Sequence, residues 1–222
     1  MKYDENKIAL IACVNDEIMY RESVAYIEKL EIPAGMELEL IEIQEAESMC
    51  SGYQEAMEST DAIYKIYMHQ DTFLVDRQIL LRIMEIFRQD ESIGLIGVAG
   101  CRNLPRKSPI WWNGDRYGKT YNRRSYESNE LSIYGEVREE YISVDALDGV
   151  FMATRYDLPW RQDLFHGWHF YDISHTRDFV DAGYLAVIPR QEKPWVMHYA
   201  GMKALDESYY EAMEIFKRNY QW

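Results

Sequence analysis

A mixed α/β fold, with a mostly parallel sheet and helices on both of its faces, is predicted by three features of the sequence. Four strand-like segments alternate with three helical ones over roughly the first hundred residues. Two of those strands are almost continuously apolar, as expected for strands covered on both sides. The length of 222 residues, with 47% hydrophobic and 28% charged residues, fits one globular domain better than two.

The elements of the first half follow from their periods. Apolar runs or period-two alternation predict strands, and apolar residues three or four positions apart predict helices. The predicted strands cover residues 7–14, 37–44, 62–68 and 93–99. The predicted helices carry Tyr20 to Leu30 before Pro33, Met49 to Met57, and Ile79 to Phe87 after the candidate cap Asp76.

The second half begins with a different kind of segment. Residues 101–141 contain prolines and glycines and no sustained period, which predicts a long inserted loop. Strands are then predicted at 142–147, 149–153 and 184–188, with a helix at 170–182 that ends before Gly183. A final helix is predicted within 203–222, so that residues 1–222 form a single domain.

The charge balance limits the partners. With 24 basic and 38 acidic residues the net charge is −14, which disfavours binding to nucleic acid and to anionic membranes over the molecule as a whole. No apolar stretch is long enough for a membrane span, and no secretory signal is predicted. Three widely spaced cysteines argue against a disulfide framework, so we expect a reducing, cytoplasmic location.

Polar residues follow several of the predicted strands. Ligands of parallel sheets bind beyond the carboxyl ends of the strands, where Asn15-Asp16, His69-Gln70-Asp71 and Asp148 lie. A rigidly held carboxylate such as Asp71, with an imidazole two positions away, is suited to Mg²⁺ or Mn²⁺ on a diphosphate. His198 is a candidate further ligand. The alternatives are ordinary turn residues and, for His198, a structural histidine.

The segment 165–175 (FHGWHFYDISH) suggests two different sites. His166, His169, Asp172 and His175 recur every three residues, but on a helix each step of three slips by about 60°, which argues against zinc. Asp172 instead falls in the first turn of a predicted helix, where the helix N-terminus favours the anion. It is therefore either a general base or an ordinary first-turn residue.

The segment 102–124 combines positive charge with aromatic rings. It holds seven basic residues against Asp115, a local charge of +6, with aromatic residues including Trp111 and Trp112 between them. Aromatic faces beside cations suit a sugar attached to phosphate, so we assign the acceptor to Trp111, Trp112 and Asp148. The alternative is a solvated loop whose aromatic residues cover the core.

Six motifs together resemble one known family. They are IALIACVNDE (8–17), SGYQEAM (51–57), YKIYMHQDTFLV (64–75), DALDGVFMATRYDLPWR (145–161), GWHFYDIS (167–174) and QEKPWVMHYAG (191–201). In order and spacing the chain resembles family 2-type glycosyltransferases of the GT-A fold, in their bacterial glycosyltransferase-like branch. The resemblance extends over nearly the whole chain.

The resemblance implies roles for the residues singled out above. The donor, a nucleotide-diphosphate sugar, would contact Asn15, Asp16, His69 and Gln70, with HQD at the position of the family's DxD motif. Asp71 and His198 would hold Mn²⁺ or Mg²⁺, and Asp172 would be the catalytic base. The family's first Asp is His69 here, which leaves open whether that residue binds metal or nucleotide.

The same resemblance implies a reaction. The expected activity is inverting transfer of a sugar to a saccharide or lipid-linked acceptor, in cell-surface polysaccharide synthesis. A single sugar is expected to be transferred, because the QxxRW motif of processive synthases is missing. The +6 segment is also suited to weak contact with an anionic membrane surface. The alternatives are a non-catalytic nucleotide- or sugar-binding module of the same fold and a nucleotidyltransferase.

Overall fold

The structure, a computed structural model, describes residues 3–125, 128–199 and 205–220, with Arg124 as backbone only. In chain order the strands are β1 (Asp4–Val14), β2 (Glu37–Gln44), β3 (Ala62–Met68), β4 (Thr72–Leu74), β5 (Ile93–Gly97), β6 (Ala99–Cys101), β7 (Arg116–Ser125), β8 (Ser128–Ile133), β9 (Tyr141–Ser143), β10 (Ala146–Leu147), β11 (Phe151–Thr154), β12 (Leu185–Pro189) and β13 (Val196–His198). The helices are α1 (Glu17–Ile27), α2 (Met49–Ser59), α3 (Ile79–Gln89), α4 (Tyr171–Asp181) and α5 (Glu207–Asn219), with a 3₁₀ turn at Trp111–Asn113.

A seven-stranded sheet forms the centre of the fold, in the order β2-β1-β3-β11-β5-β12-β9. Strands β2, β1, β3, β5 and β12 run parallel, whereas β11 and β9 are antiparallel to their neighbours. The apolar strands are buried on both faces. Ile8 and Leu10 of β1 pack with α1 and α3, and Ala9 and Ile11 pack with α2, α4 and α5. The predicted fold class is confirmed.

A smaller sheet lies beside the first, in the order β10-β6-β7-β13-β4, with β8 paired to β7. Two of its strands, β7 and β8, occupy the segment 101–141 that was predicted without regular structure. Strand β4 follows the HQD triplet and pairs with β13 so that Thr72 lies opposite His198. This pairing brings the C-terminal part of the chain to the end of β3.

Local sequence explains where the helices begin and end. The Asp16 side chain accepts hydrogen bonds from the backbone of Ile18 and Met19 and caps α1. Helix α3 begins after Gln78 rather than at Asp76, which instead accepts a hydrogen bond from the Gln78 backbone. Helix α4 ends before Gly183, whose φ of +91° is the left-handed conformation that glycine adopts readily.

The C-terminal helix is shorter than the predicted range. Helix α5 covers Glu207–Asn219, and residues 203, 204, 221 and 222 lie outside the described part of the chain, as do the last two residues of the motif at 191–201. Phe216 of α5 is fully buried against the central core. The helix is therefore part of the folded unit rather than an appendage.

Candidate functional site

A cavity of about 660 Å³ opens at the carboxyl ends of β1 and β3 and at the start of α4. This is the edge of the sheet at which the sequence predicted the site. Eight of the ten residues predicted for the site line this cavity, namely Asn15, His69, Gln70, Asp71, Trp111, Trp112, Asp148 and Asp172. Asp16 and His198 lie next to lining residues.

His69, Asp71 and His198 form a compact group of metal-ligating atoms. The Nε2 atom of His198 lies 3.3 Å from Oδ1 of Asp71 and 3.3 Å from Nδ1 of His69, and His69 Nδ1 lies 3.9 Å from the same carboxylate oxygen. Two imidazole nitrogens and a carboxylate oxygen at such separations can reach one transition-metal ion with bonds of about 2.1 Å. Among the described residues this is the one group of three or more such side chains.

The charges around Asp71 favour its ionised form. Burial acts to raise the pKa of this carboxyl, but the hydrogen bond and charge of His198, together with the charge of His69, outweigh burial and lower it. A carboxylate that stays ionised is ready to bind a cation without first losing a proton. The donor set of the group therefore fits a divalent metal.

A tyrosine that the sequence did not single out orients His69. Its Nε2 atom lies 2.5 Å from the Tyr171 hydroxyl, so the hydrogen bond at Nε2 leaves Nδ1 facing His198 and Asp71. A β carbon on Gly149 would overlap that hydroxyl, so the glycine is required for the close approach. The signal in the sequence was the position of Tyr171 next to Asp172, which periodicity alone assigns to the core.

Gln70 ties the HQD triplet to the end of β1. Its Oε1 accepts hydrogen bonds of 2.8 Å from the backbone N–H groups of Asn15 and Asp16, and its Nε2 donates to the Asn15 side chain. Asn15 is exposed to the cavity, whereas the Asp16 carboxylate is used in capping α1. Gln70 thus fixes the shape of the loop that follows β1.

Asp172 occupies the first turn of α4, as predicted, but its protonation differs from the expectation. Its two oxygens accept hydrogen bonds from the backbone of Gly149 (3.0 Å) and Ile173 (2.9 Å), which favour the anion. Burial and the nearby charge of Asp148 outweigh them and raise the pKa of Asp172 to about 7. The effect of the helix N-terminus on the pKa of Asp172 is therefore smaller than the effects of burial and of Asp148. This carboxyl gains and loses its proton near neutral pH, as a general base must.

Comparison with known proteins now identifies the family. A family model described as "Glycosyltransferase like family" matches residues 9–220. The chain belongs to this glycosyltransferase-like family. The predicted resemblance is confirmed, although no curated protein sequence matches the chain significantly.

Several solved structures have the same fold. A mannosyltransferase of Pyrobaculum calidifontis, solved with GDP-Man and Mn²⁺, aligns with a TM-score of 0.58 at 13% identity, over 91% of this chain and 59% of that one. Residues 1–349 of S. aureus TarS align with a TM-score of 0.56 at 9% identity, over 94% of this chain and 64% of that one. The same TarS residues in complex with UDP-GlcNAc align with a TM-score of 0.52 at 9% identity, over 94% of this chain and 60% of that one. The chain spans about six tenths of the length of these structures, and at such identities the likeness shows the GT-A fold.

The glycosyltransferase-like chain has an aromatic wall in the same cavity as the metal-ligating group. The Trp112 and Tyr209 rings are 5.7 Å apart and His169 lies 5.2 Å from Tyr209. Trp111 is buried and supports Trp112 at 6.0 Å, in an edge-to-face arrangement. Tyr209 falls within the predicted C-terminal helix, but it was not predicted as a site residue, because a residue that lines a cavity has the same periodicity as one in the core.

The basic side chains of segment 102–124 do not join this wall. Lys119 donates to the backbone carbonyls of Gln191 and Glu192, and Arg123 pairs with Glu22 at 3.0 Å. No Lys or Arg of the described residues lines the cavity, and the side chain of Arg124 lies outside the description. The assignment of the acceptor to Trp111 and Trp112 of this segment stays a prediction, whereas two of the cations, Lys119 and Arg123, are engaged elsewhere.

The histidine-rich segment is not a metal site in the described structure. His175 is buried and stacks on Trp160 at 3.6 Å, which lowers its pKa to about 3 through burial, whereas His166 is exposed. The prediction against zinc agrees with this divergence. No helix within the described part of the chain has both the length and the apolar character needed to cross a membrane.

Proposed function

We propose that the chain is a glycosyltransferase that moves one sugar from a nucleotide-diphosphate sugar to an acceptor hydroxyl. The observation that carries this proposal is the convergence of a metal-ligating group and a proton-accepting carboxylate. His69 and Asp71 line the cavity and form the metal-ligating group with His198, and Asp172 lines the same cavity with a pKa of about 7. Family membership supports the reaction class.

Each residue group has a role in the proposed reaction. A divalent ion such as Mn²⁺ or Mg²⁺, held by His69, Asp71 and His198, would neutralise charge on the leaving diphosphate. Tyr171 keeps His69 oriented toward that position. Asn15, held by Gln70, presents its side chain to the donor nucleotide. The complexes of the neighbours with GDP-Man and UDP-GlcNAc suggest the first donors to test.

Asp172 is proposed as the base. As the acceptor oxygen attacks the anomeric carbon, its proton passes to Asp172, and the bond from that carbon to the diphosphate breaks. Attack opposite the leaving group inverts the configuration, which NMR of the product anomer measures directly. We further propose single-sugar transfer in cell-surface polysaccharide synthesis. A cytoplasmic location is supported by Cys13, Cys50 and Cys101, which are all free thiols.

The metal role is tested by replacing Asp71. In a thermal-shift titration with GDP-Man and UDP-GlcNAc, we expect Mn²⁺ to strengthen donor binding to the wild type. With Mn²⁺ present, Asp71→Ala should bind the donor at least about tenfold more weakly than the wild type does. The exposed Glu85 on α3 provides a matched control, Glu85→Ala, which removes a carboxylate away from the cavity. Equal donor affinity with and without Mn²⁺ in the wild type would exclude the metal role. Binding without turnover for every acceptor tried would favour the non-catalytic alternative.

A further inference from the structure

The aromatic wall places large apolar side chains at the cavity. Trp112 is 37% exposed and Trp168 is 45% exposed, and both line the cavity together with Tyr209 and His169. Exposed tryptophans are unusual unless they bind something, because burying an aromatic ring is strongly favourable. The flat faces of these rings match the apolar C–H face of a pyranose.

Tyr209 carries a buried polar atom that has no partner. The residue is only 5% exposed, and its hydroxyl makes no hydrogen bond to any residue that the structure describes. A buried hydroxyl without a partner costs free energy, and such groups often mark the place of a ligand. The charges of Asp172 and Asp148 both act on this tyrosine, which therefore lies on the side of the cavity where the proposed base is found.

The charge of the cavity restricts the ligand at this wall. Five carboxylates line the cavity, and no lysine or arginine of the described residues does; the acids are Glu45, Asp71, Asp148, Asp172 and Asp206. The proposed metal position would serve the donor diphosphate, leaving no described cation for a second phosphate. A phosphorylated acceptor would meet like charge from these carboxylates, which weakens its binding by repulsion.

From these observations we propose that the aromatic wall binds an uncharged pyranose ring of the acceptor, which stacks on Trp112 and accepts a hydrogen bond from the Tyr209 hydroxyl. This inference rests on the proposed function and names its acceptor class as a neutral saccharide. Tyr209 is a specificity-determining residue on α5, and Asp172 takes the proton of the attacking hydroxyl as described above.

The test measures sugar binding without turnover. Saturation-transfer-difference NMR is recorded on the full chain with methyl glycosides of glucose, galactose, mannose, rhamnose and N-acetylglucosamine, and with the 6-phosphates of the four that have a 6-hydroxyl. We expect at least one neutral glycoside to bind, and its 6-phosphate, where it exists, to bind at least tenfold more weakly. Binding of no neutral glycoside, or equal or tighter binding of the 6-phosphates, would overturn the proposal.

Variants connect the binding to the wall. Tyr209→Phe is expected to lower the affinity for the glycoside by roughly three- to tenfold, which is the contribution of one hydrogen bond. Tyr210→Phe, one residue further on α5 and 49% exposed outside the cavity, is the matched control and is expected to bind as the wild type does. Trp112→Ala is expected to abolish the signal. Unchanged affinity in both Tyr209→Phe and Trp112→Ala would contradict the assignment.

A stability measurement separates a ligand role from a structural one. Because the Tyr209 hydroxyl has no hydrogen-bond partner within the described part of the chain, Tyr209→Phe removes an unsatisfied group, and the variant should melt at the same temperature as the wild type or higher. A lower melting temperature would show that the hydroxyl stabilises the fold and would overturn the ligand role. In kinetics, the acceptor KM should rise while the donor KM stays constant.

The failure of this inference is distinguishable from failure of the proposed function. Asp71→Ala is expected to lose Mn²⁺-dependent donor binding and to keep glycoside binding, because Asp71 belongs to the metal-ligating group. If no donor binds the wild type while a neutral glycoside still binds through Trp112 and Tyr209, the proposed transfer is wrong and the saccharide site stands. If donors turn over and only phosphorylated acceptors are used, the proposed transfer stands and the neutral-saccharide site is wrong.

Discussion

Asp172→Asn should abolish transfer and at the same time stabilise the protein at neutral pH. The asparagine cannot accept the acceptor proton, so turnover is lost while donor binding remains. The stabilisation follows from the protonation of the wild-type residue. Burial and the charge of Asp148 hold the pKa of Asp172 at about 7, compared with 3.8 for a free carboxyl. Ionising Asp172 in the folded protein therefore opposes folding.

The size of the effect follows from that difference. A shift of about 3 pKa units at about 1.36 kcal/mol each corresponds to about 4 kcal/mol. Asparagine has a single carbonyl oxygen, so one of the backbone donors, Gly149 or Ile173, loses its acceptor at a cost of about 1 kcal/mol. We therefore expect Asp172→Asn to be more stable than the wild type by about 2–4 kcal/mol above pH 7.

The pH dependence has a definite sign. Between pH 4 and 7 the unfolded chain has lost the Asp172 proton while the folded chain retains it, so wild-type stability falls as pH rises through this window. Below pH 4 both states are protonated and the contribution vanishes. The difference between variant and wild type should accordingly grow by about 2–3 kcal/mol from pH 5 to pH 8.

Urea unfolding of both proteins at several pH values, in the presence of a chelator, measures this difference. The exposed Glu85→Gln variant on α3 is the control for removal of a negative charge and should show no such growth. A variant that is equally or less stable than the wild type at pH 8, or a difference independent of pH, would refute the explanation. Normal turnover by Asp172→Asn would remove Asp172 from the role of base.

Two further substitutions test the electrostatics of the structure. Asp148→Asn removes a charge that raises the pKa of Asp172, so the acidic limb of the pH–rate profile should move to lower pH; a limb that does not move would contradict this coupling. Asp157→Ala leaves the fully buried Lys65 ammonium without its carboxylate, 2.8 Å away, and should cost about 3–5 kcal/mol in urea unfolding. Asp61→Ala, at a partly exposed ion pair with Lys7, should cost under about 1 kcal/mol, and similar losses at both positions would argue against the burial effect.

The elements that were predicted correctly have strong local signals. The apolar run of β1, the alternation of β2 and the helical periods of α2 and α5 are each contained within one stretch of sequence, so periodicity was sufficient. Strand β7 was missed because its neighbours, β6, β8 and β13, include strands distant in sequence and because it alternates weakly. Strand β4, with three residues, is too short to show any period.

The candidate site divides in the same way. Local patterns placed Asn15 and the HQD triplet at the ends of buried strands and made Asp172 and His198 candidates. The family resemblance then implied the roles of catalytic base and metal ligand for these two residues. Only the pairing of β13 with β4 brings His198 to Asp71, and only burial beside Asp148 raises the pKa of Asp172. Tyr209 carries no signal that distinguishes it from a core residue. The reason is physical: periodicity depends on neighbours along the chain, whereas ligand geometry, desolvation and the interaction of charges depend on distances between segments that meet only in the folded protein.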